Sequence, residues 1–435
     1  MNYKLSFYNI VVKNEAGATY IWNVKKGSVV ELENDIWELL QKGEFQNPRV
    51  VDDVSALEKE GIIVEKNLDE YSELIFKAKQ KQFSTSYNAF GLVIAPTLDC
   101  NYHCPYCFEH TVKEQKEHMG ADVIAKIVCA LEKEYATHPN IKKSRITWFG
   151  GEPLLAYDDV IKPLQLQVEQ LCKKNGIEFT ANLITNGYYL TKDKFEFLFK
   201  ENHTRFVQIT FDGTEEEYCK RKGTKKEAYH RVVENILELS QYCHDHNIAV
   251  KINIRLNVDN KNYDTIKMFV DQLKRDDRFF EEVIFFSLAK LRSYDFCANI
   301  TDYCTSDEYE KIQYDFESYI GKKPYVIEPK TTFCGQHCMN VFCVGPKGEL
   351  YKCEHDFGVK EHAVGTIENG LQYGKYFDDF MYQELPGKCK DCKILPVCMG
   401  GCPHRRLELN QEFECEHSIE NLKRSVRRYI MEKGV

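Results

Sequence analysis

No apolar run in this sequence approaches the ~18 residues that a helix needs to cross a bilayer, so no membrane span is expected. The opening Met1-Asn-Tyr-Lys-Leu-Ser lacks the charged start, apolar stretch and small-residue cleavage site of a secretory signal. A cytoplasmic location is the expectation that follows. Excess basic charge is missing too. The net charge is −9, whereas bulk nucleic-acid binding calls for a basic surface, so no nucleic-acid partner is expected.

Cysteine is what the chain has in plenty: 18 among 435 residues, unevenly placed. In a reducing compartment clustered cysteines favour metal or cluster binding over disulfides. Cys129, Cys172, Cys219, Cys243, Cys297 and Cys304 sit singly and read as buried thiols, because free cysteine behaves as a small hydrophobe. The length suggests roughly two to four domains.

The densest group is Cys100-Asn-Tyr-His-Cys104-Pro-Tyr-Cys107-Phe108, which follows the strand-like run Gly91–Leu98. Three thiols this close cannot all pair as disulfides. They suit a cubane cluster in which three cysteines hold three irons and the fourth iron stays open. A structural zinc site is the alternative, but it wants four ligands and the loop offers no obvious fourth. His103, His110 and His118 flank the loop and read as hydrogen-bonding or solvated residues rather than ligands.

This spacing, with an aromatic residue on either side of the last cysteine, resembles the signature of radical S-adenosylmethionine (radical SAM) enzymes. The resemblance extends to Trp148-Phe149-Gly150-Gly151-Glu152-Pro153, which is similar to that family's GGEP motif. It implies that SAM chelates the open iron and is cleaved by one electron to a 5'-deoxyadenosyl radical. It also implies that Gly150, Gly151 and Glu152 meet the SAM amino group.

Between Gly91 and about Leu291, strand candidates alternate with helices. The strands are expected at Leu92–Pro96, Arg145–Trp148, Glu178–Ile184, Arg205–Phe211, Ala249–Asn257 and Glu282–Leu288. Helices are expected at Ala121–His138, Asp158–Asn175, Lys192–Glu201, Ala228–His246 and Asn262–Arg275. Such a series reads as an α/β fold with a parallel, partial barrel, matching the partial (β/α)6 core that the resemblance implies. Active-site groups then belong at the C-terminal ends of the strands. By resemblance, Asn186, Arg221 and Arg255 are candidates for contacts to SAM; an arginine fork suits its carboxylate.

Ahead of this core, Leu5–Val12, Thr19–Val24 and Ser28–Leu32 alternate like strands, and Asn34–Lys42 and Val51–Glu60 read as helices closed by Gly61–Val64. This set resembles the winged-helix-like module of several peptide-modifying radical SAM enzymes, where a leader peptide adds a strand to a sheet edge. Glu65–Ser86 reads as a polar, helical linker.

Behind the core the composition changes. Cys334, Cys338, Cys343 and Cys353 crowd together with Gly348, followed by Cys389-x2-Cys392-x5-Cys398-x3-Cys402 and then Cys415. The pattern resembles the SPASM domain of peptide-modifying radical SAM enzymes. It implies two auxiliary clusters, one on Cys334, Cys338, Cys353 and Cys402 and an outer one on Cys389, Cys392, Cys398 and Cys415. Cys343 is left over. If Cys334 or Cys338 did not ligate, an open iron would remain for a substrate thiolate. Glu354, directly after Cys353, stands one methylene longer than the aspartate of sulfatase-maturing relatives and is a candidate base. Regular apolar periods are sparse over residues 330–415, so cluster binding would supply much of the folding energy there. Ser418–Lys433 reads as an amphipathic helix.

The expected organisation is therefore a leader-recognition module with linker (residues 1–85), a radical SAM core (86–310) and a SPASM domain (311–435). Three [4Fe–4S] clusters, SAM, a precursor peptide with leader and an electron donor such as flavodoxin or ferredoxin complete the expectation. The resemblance implies a radical SAM oxidoreductase that forms a thioether or carbon–carbon cross-link in a ribosomally made peptide. A formylglycine-forming sulfatase maturase is the alternative within enzymes, and a zinc-binding, non-enzymatic protein the alternative outside them.

Overall fold

The computed structural model describes residues 2–14, 16–109, 116–201, 203–292, 303–408, 415 and 417–433. His110 and Cys297 lie outside the described residues. The chain divides into two compact units. One comprises Met1–Ser84, Ser306–Cys338 and Gln383–Val435, the other Thr85–Thr305 and Met339–Tyr382.

In the first unit β1 (Tyr3–Leu5), β2 (Asn9–Lys13), β3 (Thr19–Asn23), β4 (Ser28–Leu32) and β5 (Ile63–Glu65) form two antiparallel sheets, β1 with β5 and the meander β2-β3-β4. The expected first strand is broken. Its chain turns at Ser6–Tyr8, where buried Glu70 accepts Ser6 Oγ–H at 2.7 Å and the Phe7 N–H at 2.7 Å. The expected helix Val51–Glu60 is likewise divided, into Pro48–Val51 and Val54–Lys59. Every residue of β3 is buried because both faces of its sheet are covered. On one face Ile21 packs with Ile36, Leu40, Val50 and Leu57. On the other, Tyr20 and Trp22 join a core with Leu395, Met399, Leu422, Val426 and Ile430, so the C-terminal helix Ile419–Lys433 and the cysteine turns share that core. Glu70–Gln82 forms a helix as expected, but Leu74 and Ala78 are buried in this core, so the segment is packed structure rather than a bare linker.

The second unit is built on an eight-stranded sheet. Its strands are β6 (Ala89–Ile94), β7 (Lys143–Trp148), β8 (Glu178–Thr185), β9 (Thr204–Phe211), β10 (Lys251–Val258), β11 (Ile284–Lys290), β12 (Val341–Val344) and β13 (Leu350–Tyr351). Their order is β11-β10-β9-β8-β7-β6-β12-β13, and β6 to β11 run parallel in sequence order. Beyond the six expected strands, β12 adds parallel to β6 and β13 antiparallel to β12. Period-two alternation sorts the side chains. Ile146, Trp148, Leu183, Val207, Ile209, Phe211, Ile252 and Ile254 are buried. This is the helix-covered face: Trp148 Nε1–H donates to Gln165 of the helix Lys162–Lys174 at 2.9 Å, and Phe211 stacks on Phe269 of the helix Tyr263–Lys274 at 4.4 Å. The opposite face carries Thr147, Asn182, Gln208, Asn253 and Arg255, with Asn253 bonded to Gln208 at 3.2 Å and to Ser287 at 2.8 Å.

Four of the five expected helices form close to their expected bounds, Asp158–Asn175 opening as a wider π turn over Tyr157–Ile161. The fifth, Lys192–Glu201, is a tight turn at Lys192–Lys194 followed by a π-type turn at Glu196–Glu201 rather than a regular α-helix. Its Phe195, Leu198 and Phe199 are nearly fully buried. Cys172, Cys243 and Cys304 are buried as expected, whereas Cys219 is half-buried and Cys129 exposed. Cys129 lies two residues from both Ile127 and Leu131, on the side of the helix away from the stripe Val123, Ile127, Leu131 that faces the core.

Candidate active site

The C-terminal ends of the parallel strands converge on the first cysteine loop. After β6 the chain runs through Ala95–Asp99 into Cys100, where the Asp99 carboxylate accepts the Cys100 N–H at 2.9 Å. The Tyr102 N–H points at Cys100 Sγ, 3.4 Å away, and the Cys107 N–H donates to the Cys104 carbonyl at 3.2 Å. These bonds curl the loop so that Cys100, Cys104 and Cys107, all half-buried and none in a disulfide, share one turn.

The two glycines after β7 are required by close packing. A Cβ on Gly151 would lie 2.2 Å from the Asp99 carbonyl oxygen, and one on Gly150, whose φ is +102°, would lie 2.7 Å from the Thr97 oxygen. Their absence of side chain lets the Gly151 N–H reach the Thr97 carbonyl at 3.2 Å and the Glu152 N–H reach that of Asp99 at 2.8 Å. Glu152 itself is fully buried. Its carboxylate accepts the Leu154 N–H at 3.0 Å, Thr185 Oγ–H at 2.7 Å and the Asn186 N–H at 2.8 Å. Burial pushes its pKa up to about 7 against the opposing pull of those three donors. Thus Glu152 ties the end of β7 to the end of β8. Asn186, next in line, donates to Asn101 Oδ1 at 2.7 Å and lies 3.9 Å from Cys100 Sγ.

The end of β9 meets the same loop. Tyr106, between Cys104 and Cys107, donates its hydroxyl hydrogen to the Asp212 carboxylate, with oxygens at 2.8 and 2.9 Å. Burial, then the Asp212 charge, raises the Tyr106 pKa well above its ordinary value. Lys222 is also buried, with Nζ 3.3 Å from Asp212 and 5.4 Å from the Tyr106 ring centre. Burial works against its charge, but Asp212 and the Cys104 sulfur outweigh it, so the pKa of Lys222 rises. Beyond Cys107, Phe108 packs on His355 with ring centres 4.3 Å apart and stacks on Phe149 at 6.1 Å. The turn that carries Cys353 and Glu354 therefore reaches the first cysteine loop.

Residues 94–273 match the family model described as the Radical SAM superfamily. They form a radical SAM domain. A cysteine-type anaerobic sulfatase-maturating enzyme of Clostridium novyi (strain NT) is 24% identical over 351 residues, 72% of this chain and 88% of that protein. Among solved structures, native anSMEcpe with bound AdoMet and the Cp18Cys peptide superposes with a TM-score of 0.55 at 18% identity, over 79% of this chain and 97% of that one. Streptococcus suis SuiB bound to precursor peptide SuiA superposes with a TM-score of 0.53 at 15% identity, over 95% and 98%. These likenesses establish the fold around the radical SAM domain, a central parallel sheet with a cysteine-rich C-terminal region.

Radical SAM enzymes use a [4Fe–4S] cluster and SAM, and the donor set fits the cluster. Three soft sulfur ligands lie on one loop with a backbone N–H already aimed at a sulfur. Other candidates are placed less simply. Arg221 is committed to carboxylates, Nη1 at 2.7 Å from Asp259 and Nε at 2.7 Å from Glu217, and its pKa is raised despite burial. Arg255 is exposed on the polar face of β10, in register with Thr210 and Ser287. His118 pairs with Asp159 at 2.6 Å and His103 is exposed.

In the C-terminal region Cys343 is fully buried on β12, packed with Ala95, Leu98, Tyr351 and Phe357. Cys353 is buried in the same unit, whereas Cys334, Cys338 and Cys402 belong to the other. Cys389, Cys392, Cys398 and Cys415 gather in the first unit. Burial pushes the Cys389 thiol up to about 11, and the charges of Cys398, Cys392 and Cys415 add to the rise. Left-handed backbone at Met399, Gly400 and Gly401 (φ +53°, +77° and +72°) turns the Gly400 and Gly401 amides onto the Cys398 sulfur.

Lys222 and Asp212 stand outside the candidate residues expected from the sequence. Asp-Gly is ordinary turn chemistry, and of the adjacent pair Arg221-Lys222 the arginine carries the fork that suits a carboxylate. The one available signal was the Gly223 cap, which ends the helix Glu215–Lys222 and fixes where its last turn points.

Proposed function

We propose that this chain is a radical SAM enzyme that modifies a ribosomally made precursor peptide, forming a thioether or carbon–carbon cross-link. Cys100, Cys104 and Cys107 hold the radical-generating [4Fe–4S] cluster, and Gly150, Gly151, Glu152, Asn186 and Arg255 form the SAM-binding edge. When bound, the cluster and SAM supply one-electron cleavage of SAM to methionine and a 5'-deoxyadenosyl radical. The protein's own residues position and shield: Glu152 joins two strand ends, Asn186 sits against the Cys100 sulfur, and Phe108 packs over the mouth of the loop. The single observation that carries the reading is the convergence of four strand ends on one three-cysteine loop.

Two further [4Fe–4S] clusters belong to the reading, an outer one on Cys389, Cys392, Cys398 and Cys415 and a nearer one on Cys334, Cys338, Cys353 and Cys402. The gathering of the first four cysteines supports the outer set. Glu354 is the candidate base, on the turn whose His355 contacts Phe108. The low-potential electron donor is of the flavodoxin or ferredoxin class, and the N-terminal sheet is the candidate leader-binding edge. Full-length agreement with SuiB, solved with a precursor peptide, supports a peptide substrate. A second reading, formylglycine formation on a sulfatase, is supported by the sequence likeness to the sulfatase-maturating enzyme.

Anaerobic incubation of the reconstituted enzyme with SAM, reductant and a candidate precursor peptide separates the readings by mass. A cross-link removes two hydrogens and leaves no aldehyde. Formylglycine gives a product that reacts with a hydrazine. A protein that yields no deoxyadenosine under any of these conditions would end both.

A further inference from the structure

The helix Glu215–Lys222 is aimed at the first cysteine loop and touches it twice. Its last carbonyl, that of Lys222, accepts the His103 N–H at 3.1 Å. Gly223 caps it with φ +59°, and a Cβ there would lie 3.0 Å from the His103 carbonyl oxygen. The negative end of the helix dipole therefore faces the loop that carries Cys100, Cys104 and Cys107. Thiolate ligands on that loop would add to the negative charge there, and a nearby cation offsets it.

Lys222 is that cation. It is 4% exposed and Asp212 is 0% exposed. Lysine is almost never this buried unless paired, and a buried pair recovers its desolvation cost only with good geometry and further hydrogen bonds. Here Nζ lies 3.3 Å from Asp212, over the Tyr106 ring at 5.4 Å and over that of Tyr218 at 5.9 Å. Asp212 also accepts the single Tyr106 hydroxyl hydrogen, with its oxygens at 2.9 and 2.8 Å. The charge of Lys222 adjoins the Cys104–Cys107 turn as well as Asp212.

We propose that Lys222 is a positioning residue whose fixed ammonium raises the potential at which the cluster on Cys100, Cys104 and Cys107 takes up an electron. This rests on the assignment of that cluster to those cysteines. An added electron in a low-dielectric site is stabilised by a nearby fixed positive charge. The electron comes from a one-electron donor of the ferredoxin or flavodoxin class and no proton moves on Lys222. Asp212 opposes the effect by neutralising part of the charge, and the two residues together set the potential.

The test is an EPR-monitored reductive titration of the full-length, anaerobically reconstituted enzyme, following the signal that changes when SAM is added. In Lys222→Met the equilibrium constant for reduction falls at least tenfold, about 60 mV for a one-electron couple. Lys222→Arg stays within about threefold of the wild type, about 30 mV. Asp212→Asn shifts the other way, raising the constant severalfold, which mere loosening of the loop would not do. Iron content is measured on every variant. An unchanged potential in iron-replete Lys222→Met, or a fall in both Lys222→Met and Asp212→Asn, overturns the proposal. If Lys222→Met holds no iron, Asp212→Asn decides, and the absence of a rise overturns the proposal as well. A wild-type enzyme with no SAM-responsive signal overturns the cluster assignment instead.

Discussion

The carboxylate of Glu152 accepts the backbone N–H of Asn186 at 2.8 Å, joining the loop after β7 to the loop after β8. Family resemblance casts this glutamate as a contact for the SAM amino group. The structure gives it a second task, because a wholly buried carboxylate with three protein donors aligns two edges of the site whether or not SAM is there.

That burial has a pH signature. The Glu152 pKa is raised from 4.5 to about 7 in the folded chain. Between those values the folded state holds a proton that the unfolded state releases, so this contribution is complete below pH 4.5 and is lost as pH rises through 7. Its size is about 3 kcal/mol. Glu152→Gln cannot titrate, so the stability difference between wild type and variant, measured by urea unfolding without SAM, should shrink by about that amount from pH 4.5 to 8.

Gly151→Ala should damage the site without touching a cysteine. The new Cβ meets the Asp99 carbonyl, backbone rather than a movable side chain, and must displace the loop leading into Cys100. Overpacking of this kind costs about 1–3 kcal/mol. The expected outcome is a folded protein with weakened SAM binding, read by equilibrium dialysis.

Replacing Cys100, Cys104 and Cys107 together with alanine should abolish deoxyadenosine formation. If each of the three sites carries one four-iron cluster, roughly two-thirds of the iron should remain. Iron and sulfide analysis, paired with a SAM-cleavage assay, checks both halves.

Arg221→Ala should act on stability more than on SAM. Its loss strands Asp259, 2% exposed, and removing one partner of a buried pair costs on the order of 3 kcal/mol. Lys at this position keeps the charge but not the fork that spans Glu217 and Asp259. Lower thermal midpoints with a near-normal KM for SAM are expected for Arg221→Ala. A large rise in KM with unchanged stability would restore Arg221 as a SAM contact.

Short-range chemistry explains what could be read from residues alone. The six parallel strands were legible because apolar positions alternate and turn residues punctuate them, and the cysteine loop because its three cysteines fall within eight residues. Glycine at 150 and 151 was legible as a motif, though not its reason, the approach of the Asp99 carbonyl.

Only the tertiary structure decided the rest. The addition of β12 to the edge of β6 joins residues some 250 positions apart in sequence, as the bond from Asn340 to Ala89 does. The packing of the C-terminal helix beneath the N-terminal sheet is equally non-local. In sequence Lys222 is one of three consecutive basic residues, Lys220-Arg221-Lys222, and only the fold buries it against Asp212 and Tyr106. Local pattern encodes which face of an element is apolar and which residues can bind metal. Which distant charge comes to lie beside those residues is set by how the elements pack, and no local pattern contains it.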